Sequence, residues 1–216
     1  MHLKRNEMPN TWPIAKKGTK YLLVANHSKT RAIPILMILR DMLKFAKTRS
    51  EVKFMIYNKE IKLNNKVVKE EKMPMEISDI LTIEKMGKNW RLKIENKKFK
   101  LEEVSGSEKD IKISKIIGKK VLGKNEIQIN LSDGRNYLVK ENFSVGDSAV
   151  VNLKENKIEK ILKLKDGAKI EVISGKHLGQ IGNIKEIRQV GKQKIFVVKI
   201  GGKELNLPSK TAKVIG

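Results

Sequence analysis

The sequence predicts a chain of small α+β and all-β modules behind a basic amino-terminal extension, not one thick domain. Three observations lead there. The 216 residues are 39% hydrophobic, enough for several modest cores but thin for a single large one. Helical spacing of apolar residues is confined to the region between Pro34 and Ile56. From about residue 90 onward, short apolar runs recur at even intervals between polar turns, the pattern of small barrels. The expected boundaries are an extension over 1–34, an α+β module over 35–95, a central small β-barrel-like domain over 96–166 and a compact carboxy-terminal barrel over 167–216.

Residues 1–32 show neither a helical nor an alternating pattern and contain Pro9, Pro13 and Gly18. Cations are interleaved there with rings and polar groups: Lys4, Arg5, Trp12, Lys16, Lys17, Lys20, Tyr21, His27, Lys29 and Arg31. Such a segment reads as an extension that orders only against a polyanion. Its rings speak against a plain disordered tail; Trp12 could stack on a base or dock in an apolar seam.

Pro34 opens a helix, a position it favours. Ile35, Leu39, Met42, Leu43 and Ala46 follow at helical spacing, with Arg40, Lys44 and Lys47 on a second stripe. Thr48 or Ser50 can cap a second helix with Glu51 in its first turn, and Val52, Met55 and Ile56 form its inner face. Short strands are expected over Glu60–Leu63, Val67-Val68 and Ile80–Ile83, with a turn at Asn64-Asn65-Lys66.

In the β-rich half the expected strands are Arg91–Ile94, Lys98–Leu101, Ile111–Ile113, Glu126–Leu131, Tyr137–Val139, Ala149–Leu153 and Lys157–Leu162. Ser132-Asp133-Gly134-Arg135 is a hairpin turn, because Asp-Gly supplies the positive φ such turns need. Arg135 at its tip is a candidate for contact with a phosphate backbone. Lys169–Ser174, Gln180–Ile187, Lys194–Ile200 and Lys203–Leu207 are four strands of an expected five-stranded barrel, with turns at Val190-Gly191-Lys192 and Gly201-Gly202. The loop Gly175–Gly179 carries Lys176 and His177.

Charge narrows the function classes. Lys and Arg number 47 against 24 Asp and Glu, a net charge of +23, which calls for an anionic partner. The excess is concentrated at the two ends. Residues 1–50 hold eleven basic and two acidic residues, and residues 167–216 hold ten and three. Phosphate neutralisation with counterion release is the physical use of such segments. At least five Lys accompany each Arg, which favours point neutralisation of phosphate and ribose contact over planar reading of bases.

Other chemistries find little support. With no Cys, disulfides and thiolate metal sites are excluded, and an intracellular setting is the economical expectation. Met1–Lys20 lacks the apolar run of a secretory signal, and the longest apolar stretch, Ile33–Leu39, is far too short to span a bilayer. The three His, at 2, 27 and 177, do not lie within helical reach of each other, so no metal site is expected; His27 and His177, in basic loops, suit phosphate or ribose contact. No phosphate-cradling Gly loop or dinucleotide fingerprint occurs, so neither a cofactor nor a small-molecule substrate is expected. Asp41 is expected to pair with a basic neighbour, and Trp90 to lie in a core.

Four blocks, in this order along nearly the whole chain, resemble one family, the archaeal and eukaryotic type of small-subunit ribosomal protein number four. The first is His2-Leu3-Lys4-Arg5 with Pro9 and Trp12, continuing through Asn26-His27-Ser28-Lys29 and Ile33-Pro34-Ile35 to Leu39-Arg40-Asp41-Met42-Leu43-Lys44. Ala25-Asn26 stand where the family usually has Gly-Pro. The second, from about 35 to 95, is similar to the S-four-type RNA-binding module, whose helix pair presents Arg40, Lys44, Thr48, Arg49 and Lys53 at the matching positions. Gln128–Asn136 resembles the family's middle domain. Lys169–Ile184, with Ile173-Ser174-Gly175-Lys176, Gly179 and Gly182, is similar to the KOW motif of SH3-like barrels.

The resemblance implies a non-enzymatic structural component of the small ribosomal subunit in the cytoplasm, with small-subunit ribosomal RNA and neighbouring ribosomal proteins as partners and no membrane. Two alternatives compete. One is a KOW-containing transcription elongation factor bound to RNA polymerase, which the basic first fifty residues do not suit. The other is an RNA-modifying enzyme, for which the chain beyond the RNA-binding module leaves only two small β units.

Overall fold

The computed structural model describes residues 2–216 except Thr30, Lys124, Asn125, Lys140, Glu141 and Lys192. It is mostly β with few helices, and it divides into two units, Met1–Asp110 and Ile111–Gly216.

In the first unit, β1 (Leu3–Lys4) pairs antiparallel with β2 (Tyr21–Leu22). Next comes β3 (Ile33–Pro34), followed by α1 (Ile35–Met37), which widens at once into a π-helical turn over Ile38–Met42. α2 (Arg49–Tyr57) follows. The remaining strands are β4 (Ile61–Leu63), β5 (Lys66–Val67), β6 (Pro74–Met75), β7 (Ile80–Ile83), β8 (Lys88–Glu95) and β9 (Lys98–Glu103). β3 pairs with β6, and the others form an antiparallel sheet in the order β5-β4-β7-β8-β9. Ile33, Ile35, Ile38, Leu39, Ile61 and Ile83 are essentially inaccessible and build the core between helices and sheet. The expected boundary at 95–96 falls inside the β8–β9 hairpin, so Lys98–Glu103 belongs to this sheet.

Local chemistry explains the turns. Asn64 and Asn65 have φ of 51° and 62°, the left-handed pair a two-residue hairpin demands. The Asn64 side chain is buried and satisfied twice: its Nδ2 donates to Asp79 Oδ1 (2.9 Å), and its Oδ1 accepts from the Ile80 N–H (3.0 Å). Thr48 caps α2, its hydroxyl accepting the Glu51 N–H at 3.3 Å, while the Glu51 carboxylate accepts the Lys47 N–H at 2.8 Å. The Lys47 N–H, and after it the Thr48 hydroxyl, hold the Glu51 carboxyl below its ordinary pKa.

Two expectations are corrected here. Lys44 and Lys47 do not share a helical stripe with Arg40. The π turn ends at Met42, the Leu43 N–H closes on Ile38 O, and Lys44 takes a φ of 57° that stops the helix. The amino-terminal segment is also packed onto its own unit, where an unpaired extension was expected. Met8, Trp12, Leu22, Ala25 and Ala32 are buried at irregular spacing, and the Phe99 N–H donates to Thr11 O at 2.8 Å. Anchors without a period escape a search for periodicity.

The second unit holds two cores. The first is built by β10 (Ile111–Gly123), β11 (Glu126–Leu131), β12 (Asn136–Val139), β13 (Ser148–Asn152) and β14 (Lys157–Leu162), in the order β12-β11-β10-β13-β14. β10, expected as only Ile111–Ile113, runs for 13 residues. Its first half pairs with β13 and its second with β11, the register shifting between Ile116 and Gly118. That shift lets one strand serve both sides of a curved sheet around Ile116, Ile129, Leu131, Phe143, Ala149 and Val151.

The second core lies within β15 (Lys169–Val172), β16 (Ile181–Val190), β17 (Gln193–Ile200), β18 (Lys203–Pro208) and β19 (Ala212–Val214), in the order β18-β17-β16-β15-β19. Ile170, Val172, Ile184, Phe196 and Val198 fill it. Lys192, part of an expected turn, lies outside the described residues. Gly182 is required by close approach: a Cβ there would stand 2.6 Å from Ile200 Cγ1 and 2.7 Å from Lys199 O. The two cores adjoin along a polar seam. The Val214 N–H donates to Ser148 Oγ at 3.1 Å, and buried Lys115 donates through Nζ to the carbonyls of Ala212, at 2.7 Å, and Ser209.

Candidate nucleic-acid interface

The structure sorts the expected contact residues into those that face outward and those used by the fold. Lys4, Lys16, Lys17, Lys20, His27, Lys29, Arg31, Lys44, Lys47, Lys53 and Lys176 are exposed. Lys20 Nζ stands 5.4 Å from the centre of the Tyr21 ring, and His2 meets the same ring edge-on at 5.1 Å.

Arg5 is half-buried and committed to its own loop, and Trp12 faces inward. The Arg5 guanidinium closes the loop that carries Lys16 and Lys17, donating to Ala15 O (2.7 Å), Thr19 O (2.7 Å) and Thr19 Oγ1 (2.8 Å). A Cβ at Gly18, whose φ is 142°, would meet the guanidinium carbon at 2.9 Å. Trp12 is 2% exposed and its Nε1 donates to Ala32 O at 3.1 Å, so its ring cannot take a base. Of the two roles the sequence left open, the apolar seam is the one it takes. Together these residues make a rigid frame on which the neighbouring lysines are displayed.

A second group gathers in the first unit around Glu71. Arg49 Nε lies 2.9 Å from both Glu71 carboxylate oxygens. This bond, with the attraction between the charges, raises the Arg49 pKa and lowers that of Glu71. The neighbouring Glu70 accepts from Asn26 Nδ2 at 2.6 Å, and the Asn26 N–H donates to Lys72 O at 3.1 Å. These bonds tie the loop bearing His27, Lys29 and Arg31 to the segment Lys69–Lys72 and, through Arg49, to the start of α2 with Lys53. Arg40 is part-buried and turned onto Asp41, at 3.0 Å, and Thr48 is occupied as the cap of α2. Nothing in the sequence marks Lys69 and Lys72, because they flank Glu70 and Glu71 and look like a solvated face.

In the second unit Arg135 is only 18% exposed, 3.9 Å from Asp133. Asp133 also accepts from Lys112 Nζ (2.7 Å) and Ser114 Oγ (3.1 Å). Burial pushes the Asp133 pKa up, but Lys112 and Arg135 outweigh it and the net shift is downward. The hairpin tip is thus clamped from below. The Gly175–Gly179 loop presents Lys176 outward and holds His177 by its Nδ1, 3.0 Å from Gln180 Oε1. Left-handed φ at Gly175 (94°) and Gly179 (83°), and the Gly179 N–H on Val172 O at 2.8 Å, close that loop.

Among the described residues no His, Asp or Glu cluster could hold a metal, and no helix is long and apolar enough to cross a membrane. The geometry offers displayed cations on folded supports, suited to an extended polyanion.

Comparison with known proteins fits this picture. The small ribosomal subunit protein eS4 of Methanocella arvoryzae is 34% identical over 193 residues, 88% of this chain and 82% of that protein. The chain belongs to the S4e family of ribosomal proteins. The profile of Ribosomal family S4e matches residues 86–158, from the end of the first unit through most of the central strands. The eS4 protein of Archaeoglobus fulgidus is 31% identical over 211 residues, covering 96% of this chain and 88% of its own length. A crystal structure of the 30S ribosomal protein S4e from Thermoplasma acidophilum shares the fold, with a TM-score of 0.74 and 24% identity over 86% of this chain and 95% of that one. These S4e names lend no support to the elongation-factor alternative.

Proposed function

We propose that this chain is a structural constituent of the small ribosomal subunit and supports translation by binding small-subunit ribosomal RNA, mainly through phosphate and ribose. The observation that carries the reading is the relationship to small-subunit eS4 proteins along almost the entire chain. The cations displayed by the first unit supply its physical basis. Within it, the helix pair and the sheet that runs on through Lys98–Glu103 act as an S-four-type RNA-binding module. Residues 111–166 form the central domain, and 167–216 an SH3-like KOW barrel whose Lys176 loop touches RNA.

The contact set on this reading is Lys4, Lys16, Lys17, Lys20, His27, Lys29, Arg31, Lys44, Lys47, Lys53, Lys176 and His177, with Arg49 held by Glu71 as part of the support. Arg5, Trp12 and Thr48 support it from beneath. Filter binding of the full chain to a small-subunit ribosomal RNA transcript over a range of salt tests the mechanism. A log–log slope of several units is expected, each neutralised phosphate contributing about 0.9 or less. A slope near zero would contradict it.

A further inference from the structure

α2 carries two aromatic side chains that the fold does not use. Tyr57 is 83% exposed and Phe54 is 64% exposed, although the helix buries Val52 and Ile56 on its other side. Three residues apart, the two rings are neighbours on one helical face. Tyr57 also lines a cavity of about 380 Å³ with Lys53, Ile56, Lys69, Glu70, Glu71 and Lys72.

The charges at this cavity are unequal in their freedom. Glu71 is engaged by Arg49 and Glu70 by Asn26. Among the described residues, Lys53, Lys69 and Lys72 close no salt bridge; Lys53 and Lys72 act on Glu71 only through their charge, behind Arg49. A ring face beside three available ammonium groups matches one ligand chemistry: a planar base joined to a phosphate. A protein partner would need a wider apolar surface, on the order of 800 Å² per side, than two rings on a charged helix provide.

Building on the RNA-binding reading above, we propose that Tyr57 and Phe54 form a stacking platform for an unpaired base of single-stranded RNA, with its phosphate held by Lys53, Lys69 and Lys72. The platform adds to phosphate neutralisation a preference for unpaired over paired RNA. A paired base keeps its faces stacked within the duplex and cannot reach the ring.

The test compares the full chain with its Tyr57→Ala, Tyr57→Leu and Tyr57→Phe variants. The probes are a short oligouridylate, an RNA duplex of equal length and the small-subunit ribosomal RNA transcript. Because Tyr57 is so exposed, all variants should melt with the wild type. Tyr57→Ala and Tyr57→Leu should each weaken oligouridylate binding on the order of tenfold, Tyr57→Phe should retain it, and duplex binding should scarcely change. Equal oligouridylate binding by wild type and Tyr57→Ala would overturn the platform, as would full binding by Tyr57→Leu, which marks an apolar contact without stacking. Wild-type binding to the transcript but not to oligouridylate would also sink the platform while sparing the RNA-binding reading. Failure of the wild type on all three probes would sink both.

Discussion

The amino-terminal segment and the first half of β10 use the same side chain in opposite ways. Lys4, Lys16, Lys17 and Lys20 are all exposed, on a backbone that Arg5 and Trp12 hold from inside. In β10, Lys112 and Lys115 are turned inward and are 3% and 6% exposed. Lys112 meets Asp133, whereas Lys115 meets, among the described residues, only carbonyl groups. A count of positive charge therefore does not measure an interface. A cation with a buried partner maintains the fold, and a cation held out by a rigid frame is available to RNA.

The largest expected effect comes from breaking the buried pair. Asp133→Ala leaves the Lys112 ammonium without its carboxylate and should lower unfolding free energy by about 3–5 kcal/mol. Denaturant titration would show it as a fall in midpoint, and an unchanged midpoint would mean that water reaches Lys112.

Lys115 gives a pH-dependent contrast. Burial pushes its pKa down from 10.5 to about 8, so between those values the unfolded chain binds more protons than the folded one. Stability should rise with pH across that window, by as much as about 3 kcal/mol for the full shift. The penalty is fully present below pH 8 and gone above 10.5. Lys115→Met should remove this component, measured as the difference between wild-type and variant stability at each pH. Parallel profiles would show that Lys115 is charged and solvated in the fold.

The smallest stability effect belongs to the displayed cations. Replacing Lys16, Lys17 and Lys20 together by Ala should shift stability by no more than about 0.5 kcal/mol per site. The same change should flatten the log–log salt dependence of ribosomal RNA binding by about two to three units. An unaltered slope would remove these lysines from the interface.

Periodicity made part of this arrangement legible in advance. Ile80–Ile83, Glu126–Leu131 and Lys157–Leu162 form at their expected bounds, apolar positions between turn residues marking both ends. β19 was overlooked because three residues carry no measurable alternation. β10 runs past its expected end at Ile113 because the residues that follow, Ser114 and Lys115, are polar although buried and interrupt the apolar alternation. The helix was drawn too long because nothing in a row of apolar residues announces a π turn or a left-handed Lys44.

The site was legible as composition and less so as geometry. Eleven cations in the first fifty residues stand out, but the partners that commit some of them lie far along the chain. Arg49 meets Glu71 after 22 positions, and outside that segment Lys112 meets Asp133 after 21. Phe54 and Tyr57 did leave a signal, since both fall off the Val52–Met55–Ile56 stripe.

Gradient sedimentation of a cell lysate at low and moderate salt tests the central claim most directly. Association with the small subunit that persists at moderate salt is the expected result. Migration in the free fractions, or with RNA polymerase, would contradict it.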